Sequence, residues 1–238
     1  MRQLSLQLLS VAALAAASCA RPQDPASEGA RLMAQLRAAS GGAALDAPAG
    51  FHEKGDVVLE GARGTYEVWG DLHALRSVAT HTIGGSTSTG GFDGQKAWSV
   101  GPDGAAKTDT SPEGIAAAKR STYLTISGFF YPERFPARFE YRGRREVEGT
   151  RYDVVTVTPA DSLPTDMWLD VRTHRLQRID GVEGTTKFAG VVKRSEFVDG
   201  IWCPFELSQT EGDRHMTQNV TSVVFESIPP ERFAPPSN

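Results

Sequence analysis

The sequence predicts a mainly β (α+β) protein, in which a strongly curved antiparallel sheet of roughly eleven strands forms an unclosed barrel. Short runs of alternating apolar and polar residues, separated by turn-forming glycines, recur from residue 56 to residue 226. One Ala-rich helical segment interrupts them around residues 111–131, and one amphipathic segment precedes them at residues 27–39. Because a large sheet curls, these two segments are expected to cap its apolar face as an N-terminal helix and a helical lid insertion.

The N-terminal helix is expected over residues 27–39. Ser27 can cap it, because a serine side chain accepts a hydrogen bond from the first free amides of a helix. Leu32, Met33 and Leu36 form one apolar stripe along it. The stripe indicates that this helix packs on the sheet.

The first group of strands is expected to be an antiparallel meander, because its members are short and closely spaced. Asp93-Gly94 is a strong hairpin signal between two of them. The candidate strands are residues 56–61, 64–70, 73–82, 86–92 and 95–100.

The helical insertion begins with a clear capping pattern. Ser111 can cap the helix, and Pro112 suits its first turn. Residues 114–123 are Ala-rich, residues 124–131 are apolar and aromatic, and Pro132 closes the segment. This pattern predicts a lid that lies between two β regions.

Alternation resumes at Phe135. Phe139 and Tyr141 point to one face, whereas Glu140 and Arg142 point to the other. Such one-sided strands indicate a sheet with one apolar face and one solvated face. The further strands are expected at residues 151–158, 165–171, 174–180, 186–198, 201–209 and 215–226.

Composition and motifs argue against several classes of function. The chain has 25 Lys and Arg against 29 Asp and Glu, so no nucleic-acid partner is expected. Two cysteines and five histidines, none in a zinc-binding spacing, predict no metal and no cofactor. Residues 84–91 lack the lysine of a phosphate-binding loop, and the sequence has no Gly-x-Ser-x-Gly elbow. A protein that is not an enzyme is therefore expected.

The N-terminus is typical of an export signal. Arg2 precedes an apolar run over residues 8–17, which is too short to span a bilayer. Residues 1–18 are therefore expected to be a signal peptide and residues 19–26 a tether. Residues 27–238 would form a single domain.

Two cleavage sites are open in this segment. Residues 16–19 resemble a bacterial lipobox, which implies that Cys19 carries acyl chains and anchors the protein to a membrane, with its domain facing the periplasm and the outer membrane favoured. Cleavage after Ala20 is the alternative, and it would give a soluble periplasmic protein. If Cys19 is lipidated, Cys203 has no intramolecular partner and is expected to be a buried apolar residue.

The run Gly91-Phe92-Asp93-Gly94-Gln95-Lys96-Ala97-Trp98 resembles the G-F-D-G-x-x-x-W hairpin of bacterial lipoprotein-sorting domains with the LolA/LolB-type carrier fold. Residues 148–155, and residues 198–201 with Pro204, fit the same group, and the resemblance covers most of residues 50–236. It implies an unclosed barrel under a helical lid. Some domains of this group precede retropepsin-like proteases, but protease activity is not expected here.

An apolar groove under the lid is the expected binding site. Its side chains could also close-pack as a plain core, because burial alone stabilises aromatic residues. The expected groove residues are Tyr66, Val68, Trp98, Phe139, Tyr141, Met167, Leu169, Phe205 and Leu207. The expected lid residues are Ile115, Leu124, Phe129 and Phe130.

The leading hypothesis is a non-enzymatic envelope lipoprotein that binds an acyl chain, a lipid or another apolar ligand, with a role in lipoprotein or lipid trafficking. The main alternative is a protein-interaction or envelope-sensor module with a filled core and an envelope protein as its partner. An accessory domain of a separately encoded hydrolase is a weaker alternative.

Overall fold

Thirteen antiparallel strands form one continuous sheet in the computed structural model, which describes residues 24–236. The strands are β1 (Gly50–Leu59), β2 (Ala62–Asp71), β3 (Arg76–Ile83), β4 (Ser86–Phe92), β5 (Ala97–Val100), β6 (Ala106–Asp109), β7 (Ala137–Val147), β8 (Thr150–Pro159), β9 (Thr165–Asp170), β10 (Leu176–Glu183), β11 (Thr186–Val198), β12 (Ile201–Glu211) and β13 (Arg214–Phe225). From one edge of the sheet to the other, the order is β6, β5, β4, β3, β2, β1, β13, β12, β11, β10, β9, β8 and β7. The first and last strands of the sequence, β1 and β13, therefore pair in the middle of the sheet. Within the described residues β6 and β7 are free edges, so the sheet is an unclosed barrel and the predicted fold class is confirmed.

The helices α1 (Pro25–Ala39) and α2 (Pro112–Thr125) coincide with the two predicted helical segments. Ser111 caps α2 as predicted, but Asp24 rather than Ser27 caps α1. The Asp24 side chain accepts a hydrogen bond from the Ala26 amide at 3.2 Å, because the helix already begins at Pro25. Short 3-10 helices follow at Gly42–Asp46, Gly128–Phe130 and Pro230–Phe233. In the part of the chain that is described, no helix combines the length and apolar character needed to cross a bilayer.

Two strands differ from the sequence-based expectation. β1 starts at Gly50, whereas the predicted strand starts at residue 56. The earlier residues were not recognised as part of a strand, because Glu53 and Gly55 occupy inward positions and interrupt the apolar alternation. β6 was not predicted, since all of its residues are exposed and no apolar face marks it. The sheet therefore has more strands than the predicted number of roughly eleven.

The sheet has an inner face, which α1 and α2 contact, and an outer face. α1 packs on β7 and β8, whereas α2 packs on β3, β4, β5 and β8. The main core lies beneath these helices, and its large members include Leu32, Leu36, Tyr123, Ile126, Phe129, Phe130, Val155, Met167 and Leu169.

The predicted signal peptide, the lipidation site Cys19 and most of the predicted tether lie outside the described residues. Two predictions, that residues 1–18 are cleaved and that residues 27–238 form a single domain, stay predictions.

Candidate functional site: the inner face of the half-barrel

Eight of the nine predicted groove residues lie on the inner face, in two neighbouring clusters. Met167 and Leu169 are buried in the main core, with Phe139 and Tyr141 packed against it. Tyr66 is buried in a second inner cluster with Val57 and Val220, and Val68 and Leu207 pack against that cluster. Phe205 contacts both clusters and so joins them.

The ninth predicted groove residue, Trp98, faces the other way, and this part of the prediction was wrong. Strand pairing places Trp69, Val78, Gly91 and Trp98 in one row on the outer face. The indole nitrogen of Trp98 donates a hydrogen bond to the Phe233 carbonyl oxygen at 2.9 Å. The C-terminal segment covers this row, so an apolar residue on β5 can be buried without facing the groove.

The predicted lid residues fall into two groups. Phe129 and Phe130 are each 5% exposed and belong to the main core. Their ring centroids lie 4.6 Å apart in an edge-on arrangement. Ile115 and Leu124, on α2 itself, are only partly buried. The two phenylalanines therefore fill the interior where α1 and α2 meet the core, whereas Ile115 and Leu124 on α2 keep some solvent contact.

α2 spans the opening of the half-barrel. One side of it packs on β3, β4 and β5, near the β6 edge of the sheet. At the other side, the Lys119 amine lies 3.6 Å from the Asp161 carboxylate, and the Ser162 hydroxyl donates to the Ala116 carbonyl oxygen at 3.1 Å. Both partners belong to the loop between β8 and β9. The helix thus connects the two halves of the open sheet.

Arg120 links α2 to the half of the sheet that contains β10 and β11. Its guanidinium donates to the Val182 carbonyl oxygen at 2.7 Å and forms an ion pair with Glu183. It also lies over the Phe188 ring, 4.7 Å from the centroid. Its side chain is only 3% exposed, so these contacts replace the water that a charged group needs. Arg120 therefore fastens α2 to the β10–β11 hairpin.

A shallow pocket of about 380 Å³ opens on the inner face of β3, β4 and β5. Its floor is made of small side chains, among them Ala79, Gly90 and Ser99, which are direct partners on adjacent strands. His81 also lines the pocket, and burial lowers the pKa of its imidazole. Small residues at these positions leave the space that larger apolar residues would fill.

The row of small residues leads directly to the partly buried carboxyl group of Glu53. Across β1 to β3, Glu53 pairs with Val68 and Val68 pairs with Ala79, so all three share the inner face. The Tyr66 hydroxyl donates a hydrogen bond to Oε1 of Glu53 at 2.9 Å. Removal from water raises the pKa of Glu53 to about 7.

Gly55 makes room for the ring of Tyr66. A Cβ atom at residue 55 would lie 2.6 Å from Cε1 of Tyr66 and 2.3 Å from the Asn219 carbonyl oxygen. On its other side the Tyr66 ring stacks with His81, at a centroid distance of 6.0 Å. The contact between Glu53 and Tyr66 was not predicted from the sequence. The spacing along the strand could have indicated the position of Glu53. It lies two residues after Phe51 and four before Val57, and residues separated by an even number in a strand share one face.

Among residues 24–236, no cluster of three or more His, Cys, Asp or Glu side chains is placed to hold a metal ion. Cys203 is buried as expected, and burial raises the pKa of its thiol to about 12. Its Sγ contacts the Ile201 carbonyl oxygen at 3.5 Å. An inert thiol of this kind serves packing.

No protein-family model and no curated protein matches this chain. Solved structures, in contrast, match it over most of its length. A DUF1329 family protein from Desulfovibrio piger shares 12% identity at a TM-score of 0.60, over 89% of this chain and 98% of that chain. A LolA superfamily protein from Nitrosomonas europaea shares 9% identity at a TM-score of 0.59, over 87% of this chain and 97% of that chain.

A domain from Vibrio parahaemolyticus, provisionally assigned to outer membrane lipoprotein sorting, shares 11% identity at a TM-score of 0.57, over 87% of this chain and 97% of that chain. The further resemblance to the N-terminal domains of retropepsin-like proteins stays a prediction. At such low identities a likeness shows the fold alone. On these grounds, this chain has a LolA-like fold, as the resemblance of its hairpin to lipoprotein-sorting domains predicted.

Proposed function

We propose that this protein is a non-enzymatic envelope lipoprotein that binds an acyl chain, a lipid or another apolar ligand on the inner face of the half-barrel. One observation carries the proposal: apolar side chains on the central strands remain partly exposed on that face. They include Val68, Phe205, Leu207, Met216 and Val223. Both helices have their main contacts with other strands, so this surface is available to a ligand.

The solved structures support the class of ligand. One of them is named a LolA superfamily protein, and another is provisionally assigned to outer membrane lipoprotein sorting. We therefore infer a role in lipoprotein or lipid trafficking in the cell envelope. We further propose that Cys19 is lipidated and anchors the domain to the membrane, with two or more acyl chains giving stable attachment.

Binding would be driven by the burial of apolar ligand surface, at about 0.8 kcal/mol for each methylene removed from water. α2 would control access to the groove. For it to move away from the hairpin, Arg120 must release Val182 and Glu183. A ligand that contacts α2 and the sheet together would offset that cost.

A protein-interaction module with a filled interior is the second candidate. The packed cluster of Phe129, Phe130 and Tyr123 favours it, because these buried rings themselves occupy that end of the interior. The two candidates differ in whether the central strands bind an apolar compound.

Titration of the purified protein with the neutral apolar fluorophore N-phenyl-1-naphthylamine tests the proposal. Ala79→Phe fills the pocket floor and should weaken probe binding at least about ten-fold, or by about 1.4 kcal/mol. Val224→Phe is the matched control, since Val224 is 48% exposed and pairs with His52 on the outer face. A wild-type protein that binds no probe would contradict the groove. Mass spectrometry of the envelope-derived protein would report the N-terminal modification and any co-purified lipid.

A further inference from the structure

We propose that the groove ligand is a single-chain amphiphile whose primary ammonium group binds the Glu53 carboxylate, with the Tyr66 hydroxyl holding that carboxylate in place. This inference rests on the proposed function, because it names the head group of the ligand that the groove takes.

The position of Glu53 needs a physical explanation. Its direct neighbours in the sheet are Val68 and Val223, both apolar and both on the inner face. A carboxylate removed from water in such surroundings costs free energy unless it gains a partner of opposite charge. Within residues 24–236, the Tyr66 hydroxyl is its one hydrogen-bond partner, and no basic side chain forms an ion pair with it.

The Glu53 carboxylate is oriented but not fully occupied. Oε1 accepts the hydrogen bond from Tyr66, whose ring is 2% exposed and fixed over Gly55. Oε2 has no hydrogen-bond partner among the described residues, and it is not one of the side-chain atoms sealed from solvent. One oxygen is therefore held by the protein, while the other keeps some contact with solvent and has no hydrogen-bond partner among the described residues.

The charges nearby favour a cation over an anion. The titratable groups that sense the charge of Glu53 are the Tyr66 hydroxyl on β2 and the Cys203 thiol on β12, and burial raises the pKa of both, so both are neutral. Lys54 and His52 alternate with Glu53 along β1 and lie on the outer face, where both contact Glu67. An ammonium group at Oε2 would supply the missing charge, whereas a fatty-acid carboxylate would be repelled.

The adjoining pocket accounts for the apolar chain of the ligand. Its floor residues Ala79 and Gly90 continue the row that starts at Glu53 and Val68. Strands lie about 4.8 Å apart, so Ala79 on β3 is about 10 Å from Glu53 on β1. An alkyl chain in the pocket can thus extend along this row and bring its head group to the carboxylate.

Competition at neutral pH tests the inference. Dodecylamine, dodecanol and dodecanoate, each below its aggregation concentration, compete with bound N-phenyl-1-naphthylamine. The wild type should bind dodecylamine at least about ten-fold more tightly than dodecanol, and dodecanoate more weakly than either. Glu53→Gln should bring the amine and the alcohol to equal affinity, and its urea denaturation midpoint shows whether the variant is folded. Glu67→Gln removes the same charge from the outer face and should keep the preference for the amine.

Two results would overturn the inference while leaving the proposed function intact. One is equal binding of dodecylamine and dodecanol by the wild type. The other is a preference for the amine that persists in Glu53→Gln. A wild type that binds neither the fluorophore nor dodecanol would instead refute the proposed function, and this inference with it.

Discussion

Replacing Glu53 with Gln should stabilise the ligand-free protein at neutral and alkaline pH, and the gain should disappear in acid. The change keeps the shape of the side chain and an oxygen that can accept the hydrogen bond from Tyr66. It removes the charge that the wild type must hold among apolar neighbours. Glutamine has no proton to lose in this range, so the difference between the two proteins isolates the carboxyl group of Glu53.

The magnitude follows from the pKa of Glu53, which burial raises from 4.5 to about 7. The folded carboxyl keeps its proton to a higher pH than the unfolded one. Between these two values the folded state binds more protons, so wild-type stability falls as the pH rises through that window. Each unit of difference between the two pKa values corresponds to about 1.4 kcal/mol, which gives an upper bound of about 3.5 kcal/mol. Because Glu53 is only partly buried, a gain of about 1–3 kcal/mol is expected above pH 7.

Urea denaturation followed by tryptophan fluorescence, at several values between about pH 4.5 and about pH 8.5, measures this gain. His81 titrates in an overlapping range with the opposite effect, because its pKa is lowered by burial, but it is present in both proteins and cancels in the difference. Glu67→Gln on the outer face is the matched control and should show no gain that depends on pH. A free-energy difference between Glu53→Gln and wild type that stays constant across the whole range would refute the reasoning.

The other predictions concern the lid and the thiol. Replacing Phe129 or Phe130 with Ala should lower the free energy of unfolding in urea by about 3–5 kcal/mol each, because both rings are buried in the main core. The double variant should lose less than the sum of the two single losses, because the rings contact each other. A double variant within about 1 kcal/mol of wild type would show that these rings are not core. Arg120→Ala should speed the entry of the fluorophore in stopped-flow mixing, because it frees α2 from the β10–β11 hairpin. Glu183→Gln should have a small effect, because Glu183 is 54% exposed. Equal entry rates for Arg120→Ala and wild type would argue against α2 as a gate. Cys203 should resist a polar thiol reagent until urea unfolds the protein, and rapid labelling of the native protein would contradict its burial.

The local pattern of the chain determined most of the secondary structure. Alternation with a period of two marks inward and outward positions in a strand whatever the strand later pairs with, so Met167 and Leu169 were placed on the apolar face correctly. The helix α2 was equally predictable, since Ser111 and Pro112 form a cap that acts within one turn. Such signals are local, and a local signal can be read without knowing the rest of the fold.

Tertiary structure alone decided which face of a strand is the inner one. Trp98 follows the same alternation as the groove residues, but the C-terminal segment, 135 residues further along the chain, covers it on the outer face. Alternation sorts the residues of a strand into two faces, but it does not show which face is the inner one, because both faces of this part of the sheet are covered. Arg120 illustrates the same limit, since nothing in the sequence distinguishes a buried arginine from an exposed one until the β10–β11 hairpin closes on it.

Glu53 shows how a polar residue on the inner face can conceal the start of a strand in the sequence pattern. At an inward position of β1 it interrupts the apolar pattern, so the sequence placed the start of the strand after it. Its partner Tyr66 is on the next strand, and its pocket is formed by strands further on. The sequence by itself determined the curved sheet, its helices and its class. The position of Glu53 beside apolar side chains and the β3–β5 pocket could not be predicted, because only strand pairing brings these distant residues into one row.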